Sequence, residues 1–368
     1  MKIVVIGTRG IPAIQGGVET HCLNLYPRIA KMGHDVTIIR RSSYVTPDNQ
    51  LTSYKGVKLV DIFAPRLKSL EAITHTFLAV LKARSMNPDV VHIHAIGPAL
   101  LAPFARMLGL KVVMTNHGPD YDRQKWGKAA RLMLRSGERL GSKFSNKIIV
   151  ISKVIADIVA DKYGRTDTAL IFNGVEPPVE NPATDYVRSL GVEPRKYIVA
   201  LGRFVEEKGF HDLISAYRQL GNDYPYKLVI AGDADHPSRY SENLKKQAKE
   251  AGVILTGFIT GEKMRQTMAN AALMVMPSYH EGLPIALLEA MSFNLDVLTS
   301  DIPACMLPEL TDDDHFPTGN VNALADAIKR KTTLSSTPRK YNLEAYNWDH
   351  IAGQTVSVYE SVLKKRHT

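Results

Sequence analysis

Residues 278–291 read SYHEGLPIALLEAM. Pro284 suits a first helical turn, so the spacing predicts a helix that starts just after Gly282. From 285 to 291 every residue is apolar except Glu289, the pattern of a helix buried on all faces with one carboxylate inside it. A buried carboxylate without donors is costly, so Glu289 requires partners, and the hydroxyls of a ribose would serve, as would a protein arginine or backbone group. Glu281 lies in the loop ahead of the helix, where the N–H groups of Gly282 and Leu283 would point at phosphate while Pro284 has none to give. The apolar run LMVMP at 273–277 precedes this loop and reads as a strand. Strand, loop and buried helix in succession make one unit of a doubly wound parallel sheet, which binds its ligands beyond the carboxyl ends of its strands.

The same alternation extends on both sides. Further strands are expected at 197–201, 227–231, 253–257 and 296–300, and towards the amino terminus at 2–6, 35–39, 57–62, 90–94, 111–114, 147–151 and 168–172. Between them lie helical stripes, the clearest being Val18, Cys22, Leu25, Ile29 and Met32, with Gly33 as a stop signal. The stretch 173–194, containing NGVEPPVENPATD, reads as a linker because clustered Pro and Asn disfavour helix and ladder alike. The expected fold class is therefore α/β with two Rossmann-like, doubly wound domains, at 1–175 and 176–345, and a tail at 346–368 whose helix packs back towards the first domain. Two such domains in tandem would set their binding edges opposite each other across a cleft.

The chain has 368 residues, 45% hydrophobic and 23% charged, which excludes collagen-like, low-complexity and largely disordered readings. Only Cys22 and Cys305 occur, too few for a disulfide framework or cysteine metal site, which points to a reducing compartment. The opening MKIVVIGTRG holds too short an apolar stretch for a signal-peptide core, and no apolar run reaches the roughly 20 residues that span a bilayer. The net charge of +9 is uneven: residues 1–175 carry 25 basic against 12 acidic side chains, the remainder 21 against 25. A basic amino-terminal half suggests an anionic partner, whether nucleic acid, anionic membrane or phosphorylated substrate.

GRFVEEKG at 202–209 places Arg203 and Lys208 at a strand's carboxyl edge. Two fixed cations there would neutralise a diphosphate leaving group as its charge develops; the alternative is a solvated loop in which they pair with Glu206 and Glu207. Near the amino terminus Gly7, Gly10, Gly16 and Gly17 mark a strand-to-helix turn that would let backbone approach phosphate, although G-x-G-x-x-G is absent and the glycines would also serve the turn alone. Asp233 and Asp235, in GDAD, resemble the metal-binding Asp-x-Asp of a different transferase fold but read as a loop, since Arg203 and Lys208 already supply the charge a metal would bring.

Glu281, seven residues and Glu289, taken with GRFVEEKG, closely resemble glycosyltransferase family 4, retaining sugar-nucleotide enzymes of the two-domain GT-B fold, in order and spacing along nearly the whole chain. GTRGIPAIQGGVET and TNHGPDYDRQKWG resemble a bacterial subgroup that includes rhamnosyltransferases of surface polysaccharide assembly. The resemblance implies transfer of a sugar from a UDP-, dTDP- or GDP-sugar to a saccharide acceptor, lipid-linked in such assembly. It implies that Arg203 and Lys208 hold the donor diphosphate, Glu289 the ribose, and Glu281 the transferred sugar or its phosphate. Gly16 and Gly17 match the first-domain glycine loop, where diphosphate or acceptor is approached. His117 matches a histidine that contacts donor sugar or acceptor; a lone His beside Gly118 would otherwise be a turn residue. The family chemistry is front-face attack, with a leaving phosphate oxygen taking the acceptor proton. It requires no enzyme nucleophile, metal or cofactor, in keeping with the lack of a recognisable Ser-His-Asp or Cys-His arrangement.

Residues 123–147 hold Arg123, Lys125, Lys128, Arg131, Arg135, Arg139, Lys143 and Lys147 against one acid, Glu138. Lys128, Arg131, Arg135 and Arg139 share one helical face, with Trp126, Leu132, Met133 and Leu140 as apolar partners for the other sides. The expectation is a cytoplasmic protein held peripherally on the anionic inner leaflet, rather than a nucleic-acid binder, since aromatic content is 7% and no nucleic-acid module is visible. Two rivals remain. An NADP-dependent oxidoreductase fits the first domain, where the strand at 35–39 is followed by Arg40 and Arg41 instead of the acid expected for NAD. A catalytically silent sugar-nucleotide-binding subunit would keep the same pocket.

Overall fold

Runs of β-branched and aliphatic residues form two sheets among the residues that the computed structural model describes: 1–65, 71–119, 121, 127–177, 183–234, 237–333 and 339–364. The first sheet has the spatial order β3 (Ser53–Tyr54), β4 (Val57–Ile62), β2 (Asp35–Arg41), β1 (Lys2–Ile6), β5 (Val90–His94), β6 (Val112–Asn116), β7 (Lys147–Val150), β8 (Ala169–Leu170). All its pairings are parallel except that of β3 with β4. The second, wholly parallel, runs β11 (Ile254–Gly257), β10 (Lys227–Ala231), β9 (Tyr197–Leu201), β12 (Leu273–Met276), β13 (Asp296–Ser300), β14 (His315–Phe316). Central strands such as β5 and β6 are buried at every residue, because helices cover both faces.

The chain divides into two units, one of Met1–Gly174 with Ala345–Thr368 and the other of Val175–Glu344. In the amino-terminal unit the helix Gly17–Lys31 lays Cys22, Leu25, Tyr26 and Ile29 on the sheet, and the terminal helix Trp348–Leu363 adds Trp348, Ile351, Val356 and Tyr359 to that core. Asn347 starts the terminal helix by accepting the Asp349 and His350 N–H groups. Its Trp348 lies so close to Gly174 that a Cβ there would sit 2.4 Å from the indole. Gly174, in the stretch expected as a linker, thus also seats the returning helix.

Several boundaries differ from expectation. The strand at 168–172 contracts to β8, while β6 runs on to Asn116. β3 and β14, two residues each, are too short to show alternation in sequence. The basic helix spans Lys128–Phe144, but it buries Leu134, Gly137, Glu138, Gly141 and Ser142 and leaves Leu132 68% exposed among its cations. Gly137 and Gly141 permit that closeness: a Cβ would lie 2.1 Å from the Ile96 carbonyl oxygen or 2.5 Å from Met114 Sδ. Glu138, the one acid of 123–147, is buried and accepts from Asn116 Nδ2, Tyr121 Oη and Tyr163 Oη at 3.2, 3.0 and 2.7 Å. Trp126, Arg123 and Lys125 lie outside the described residues.

Arg40 is fully buried. Its guanidinium donates to Asp61 at 2.6 and 3.0 Å and to the carbonyls of Ile11, Asn49 and Leu51 at 3.1, 2.9 and 3.0 Å. It therefore rivets the loop after β1 to the edge of the sheet. Arg40→Met is expected to lower unfolding free energy by about 3 kcal/mol, because those carbonyls lose their donor and Asp61 its partner. Urea denaturation measures it, and a loss below about 1 kcal/mol would show that the rivet is dispensable.

Candidate functional site

Strand order reverses between β9 and β12 in one unit and between β1 and β5 in the other, and such reversals are where open parallel sheets leave room for ligands. In the carboxy-terminal unit the segments after β9 and β12 are locked together. The Tyr279 N–H donates to the Glu207 carbonyl at 2.8 Å, and Gly209, with φ of +63°, presses so near Pro277 that a Cβ would lie 1.9 Å from its carbonyl oxygen. Only glycine tolerates both conditions.

Across this junction Lys208 Nζ donates to Glu281 Oε1 at 2.5 Å, and Ser278 Oγ donates to the same oxygen at 2.7 Å. Lys208 thus pairs with Glu281 and not with Glu206 or Glu207, so the solvated-loop alternative does not hold for it. Glu206 is exposed, and Glu207 is buried with its Oε1 lacking a hydrogen-bond partner among the described residues. Two of the three Lys208 N–H groups remain beyond the Glu281 bond. Arg203 lies half-buried one residue past Gly202 on the same loop.

The following helix is Ile285–Ser292, with Pro284 as its cap. It begins later than the sequence suggested, so its first unpaired N–H groups are those of Ile285 and Ala286, with Gly282 and Leu283 upstream in the loop. Leu283 buries its side chain. Glu289 sits half-buried on this helix, on a partly exposed side that it shares with Ile285 and Ala286, so the helix is not buried on all faces as expected; its carboxylate accepts no hydrogen bond among the described residues. Burial pushes its carboxyl up to about 7. Asp233 is held by Lys245 at 2.7 Å, while its partner in GDAD, Asp235, lies outside the described residues.

In the amino-terminal unit, Gly17 opens the first helix and is exposed, with nothing within 4 Å of where a Cβ would sit. Gly16 has φ of +153°, and a Cβ there would lie 2.0 Å from Glu19 Oε2. Glu19 accepts from Thr8 Oγ1 at 3.1 Å and the Arg9 N–H at 3.0 Å, so the turn already holds a carboxylate of its own. That anion occupies the kind of position a dinucleotide phosphate would take. With Arg40 buried and Arg41 paired to Glu71 at 3.4 Å, neither arginine is placed for a 2′-phosphate, and the NADP reading loses its support.

His117, just past β6, belongs to a cluster that the sequence reading passed over. Its Nε2 meets His94 Nδ1 at 2.9 Å, and its ring lies 5.0 Å from that of His21, whose Nδ1 meets Asn173 Oδ1 at 2.9 Å. His92 and His94 alternate on β5, so both point to one face, a signal visible in VHIHA. Burial lowers all four histidines, His21 to about 4 and His92 to about 3. His21, His94 and His117 offer ligand atoms within 4.8 Å of one another. The His94 and His117 ring centres are 5.2 Å apart with the nitrogens at 2.9 Å, which puts those nitrogens close to the line joining the rings. They face each other across one proton; ligation would need them turned towards a common third point.

The sequence matches the Glycosyltransferase Family 4 model over residues 15–178 and the model of Glycosyl transferases group 1 over residues 184–348. An uncharacterized glycosyltransferase of Methanocaldococcus jannaschii is 24% identical, the alignment covering 99% of both chains. Among solved structures, a sucrose-phosphate synthase from Thermosynechococcus elongatus superposes with a TM-score of 0.81 at 21% identity, covering 98% of each chain. Anabaena HepE in complex with UDP-glucose gives 0.73 at 18%, covering 98% of this chain and 97% of the other. The fold is thereby GT-B.

Glu289 makes stability depend on pH. Its folded-state value of about 7 exceeds the ordinary 4.5, so folded protein holds the proton more tightly and loses stability as pH rises through that window. Glu289→Gln removes the cost, so the variant's melting temperature relative to wild type should be higher at pH 8 than at pH 5. An equal difference at both pH values would contradict a donor-poor, desolvated carboxyl.

Proposed function

We propose that this chain, a glycosyltransferase built of family 4 and group 1 domains, moves a sugar from a nucleoside diphosphate to a saccharide acceptor with retention at the anomeric carbon. The observation that carries the reading is the junction after β9 and β12, where Lys208 and Glu281 meet beside a helix bearing Glu289, whose carboxylate no described residue answers. In this reading Lys208 and Arg203 neutralise the diphosphate as the bond from the sugar carbon to phosphate oxygen breaks. The acceptor oxygen bonds to the same face of that carbon, and its proton passes to the departing phosphate oxygen. No metal or other cofactor enters. Glu281 holds Lys208 and meets the sugar or its phosphate, Glu289 receives the ribose hydroxyls, and the loop N–H groups of Gly282 and Leu283 face phosphate. Gly16, Gly17 and His117 serve the acceptor or the transferred sugar.

Support for a nucleotide donor comes from HepE, solved with UDP-glucose on the same fold. A panel of UDP-, dTDP- and GDP-sugars tests the donor site by thermal shift, since a ligand at 100 times its Kd stabilises by about 2.7 kcal/mol. One nucleotide class should raise the melting temperature, and Glu289→Ala should abolish the shift. A panel without any shift removes the donor site, and an unaltered shift in the variant removes the ribose role.

The acceptor we propose is lipid-linked, as in the surface polysaccharide assembly of the rhamnosyltransferase-like subgroup, with the protein docked peripherally on an anionic membrane. No described helix is long and apolar enough to cross a membrane. The reading is supported by the basic helix, where Lys128, Arg135 and Arg139 are exposed around the projecting Leu132, with Arg131 half-buried and Arg135 stacked 5.3 Å from the Tyr121 ring. Each cation near anionic lipid contributes about 1 kcal/mol. Wild type should float with phosphatidylserine vesicles, whereas the charge-reversed quadruple variant of Lys128, Arg131, Arg135 and Arg139 should not. Equal flotation discards the membrane face.

A further inference from the structure

The segment that carries His117 is gripped at both ends by one side chain from a different element. Glu138, on the basic helix and fully buried, accepts Asn116 Nδ2 on Oε1 at 3.2 Å and the hydroxyls of Tyr121 and Tyr163 on Oε2 at 3.0 and 2.7 Å. Asn116 ends β6 and directly precedes His117, and Tyr121 follows a few residues beyond it. Asn116 and Tyr121 are buried, whereas His117 is half-exposed between them. Tyr121 is held a second time by Lys162, whose Nζ donates to its hydroxyl at 2.8 Å and lies 5.0 Å from its ring centre. The close approach that Gly137 and Gly141 allow brings Glu138 within reach of all three partners.

The direction of each bond is fixed. The Gly118 N–H can only donate, and it meets Asn116 Oδ1 at 2.9 Å, so the amide oxygen faces Gly118 and the NH2 faces Glu138. Lys162 can only donate, so the Tyr121 hydroxyl accepts from it and gives its own proton to Glu138. One amide NH2 and two hydroxyls thus converge on Glu138, which has to present an acceptor on each oxygen. A carboxylate does so, and an amide of the same shape does not.

We propose that Glu138 is a positioning residue, which through Asn116 and Tyr121 sets where His117 stands towards the sugar or acceptor that it meets. The use of that placement in transfer rests on the role given to His117 above; the clamp is read without any sugar nucleotide, so the two fail separately.

The test follows the ring signal of His117 in carbon–proton NMR of the full chain labelled at histidine, identified by its loss in His117→Gln. Tyr121→Phe and Tyr163→Phe each take one hydroxyl from Glu138 Oε2 and keep the ring, but only Tyr121 lies on the segment of His117. Tyr121→Phe should move the His117 signal and Tyr163→Phe should leave it in place, whereas a carboxylate serving stability alone would respond to both alike. Glu138→Gln should also move it, because a glutamine NH2 then faces either Asn116 Nδ2 or the two hydroxyls and one end of the segment is released. Asn116→Asp combined with Glu138→Gln exchanges donor and acceptor across that contact. The new carboxylate accepts from the glutamine NH2 and the Gly118 N–H, the glutamine oxygen takes both hydroxyls, and the signal should return. With the donor selected by the thermal-shift panel and water as acceptor, Glu138→Gln should lower kcat for donor hydrolysis about tenfold at unchanged donor KM, because small misplacement of reacting groups is expensive. The double variant should recover it. A His117 signal unmoved in both folded Tyr121→Phe and Glu138→Gln, or moved equally by Tyr163→Phe, overturns the proposal. A moved signal with unchanged kcat overturns the part that His117 plays in transfer, and with it the catalytic use of the clamp.

Discussion

In a parallel sheet whose order reverses at its centre, the connections leaving the two central strands turn to opposite faces, so their carboxyl ends cannot be closed by a shared helix. Both sheets here obey this constraint, at β1 with β5 and at β9 with β12. The segments carrying Lys208 and Glu281 follow the central strands of one sheet. His94 ends a central strand of the other, with Glu19 and His21 on the helix that follows its neighbour. Chemistry-bearing side chains distant in sequence gather at these places because the winding brings them there.

What the reversals leave open is bounded by polar groups that the protein satisfies itself. Arg40 and Glu138 are ionisable side chains in the interior, and each is surrounded by complementary partners. Such groups add little net stability, but removing one partner is expensive, which makes their geometry unforgiving. Glu289 stands apart, since burial raises its carboxyl and no donor among the described residues answers it. The contrast between Glu138, answered on both oxygens, and Glu289 separates architecture from the proposed ligand site, and Glu207, whose buried Oε1 no described residue answers, lies at that same junction.

Much of the fold was legible from pattern. Buried strands in a doubly wound sheet are continuous apolar runs, and those at 197–201, 227–231 and 296–300 coincide with β9, β10 and β13. The apolar stripe from Val18 to Met32 reflects a helix with one face on the sheet. The candidate site was less evenly legible. GRFVEEKG and the Glu281 to Glu289 spacing are contiguous motifs and draw the eye. The histidine cluster is assembled from positions 21, 92, 94 and 117, which lie on separate elements apart from the pair on β5. Leu132 was misjudged for a related reason: small Gly137 and Gly141, not its large neighbours, decide which side of that helix approaches the sheet.

By itself the sequence determined the alternation of elements and the residue types at each strand's carboxyl end, because these depend on local spacing and on which side chains tolerate water; it did not show the helix Asp185–Ser189 inside the stretch read as a linker. Tertiary structure alone decided the partners. Whether Lys208 faces Glu207 or Glu281 and whether Arg40 reaches a ligand or the backbone both turn on contacts between distant segments. Those energies exist only once the chain has closed, when low dielectric and fixed distances make one pairing much better than its alternatives.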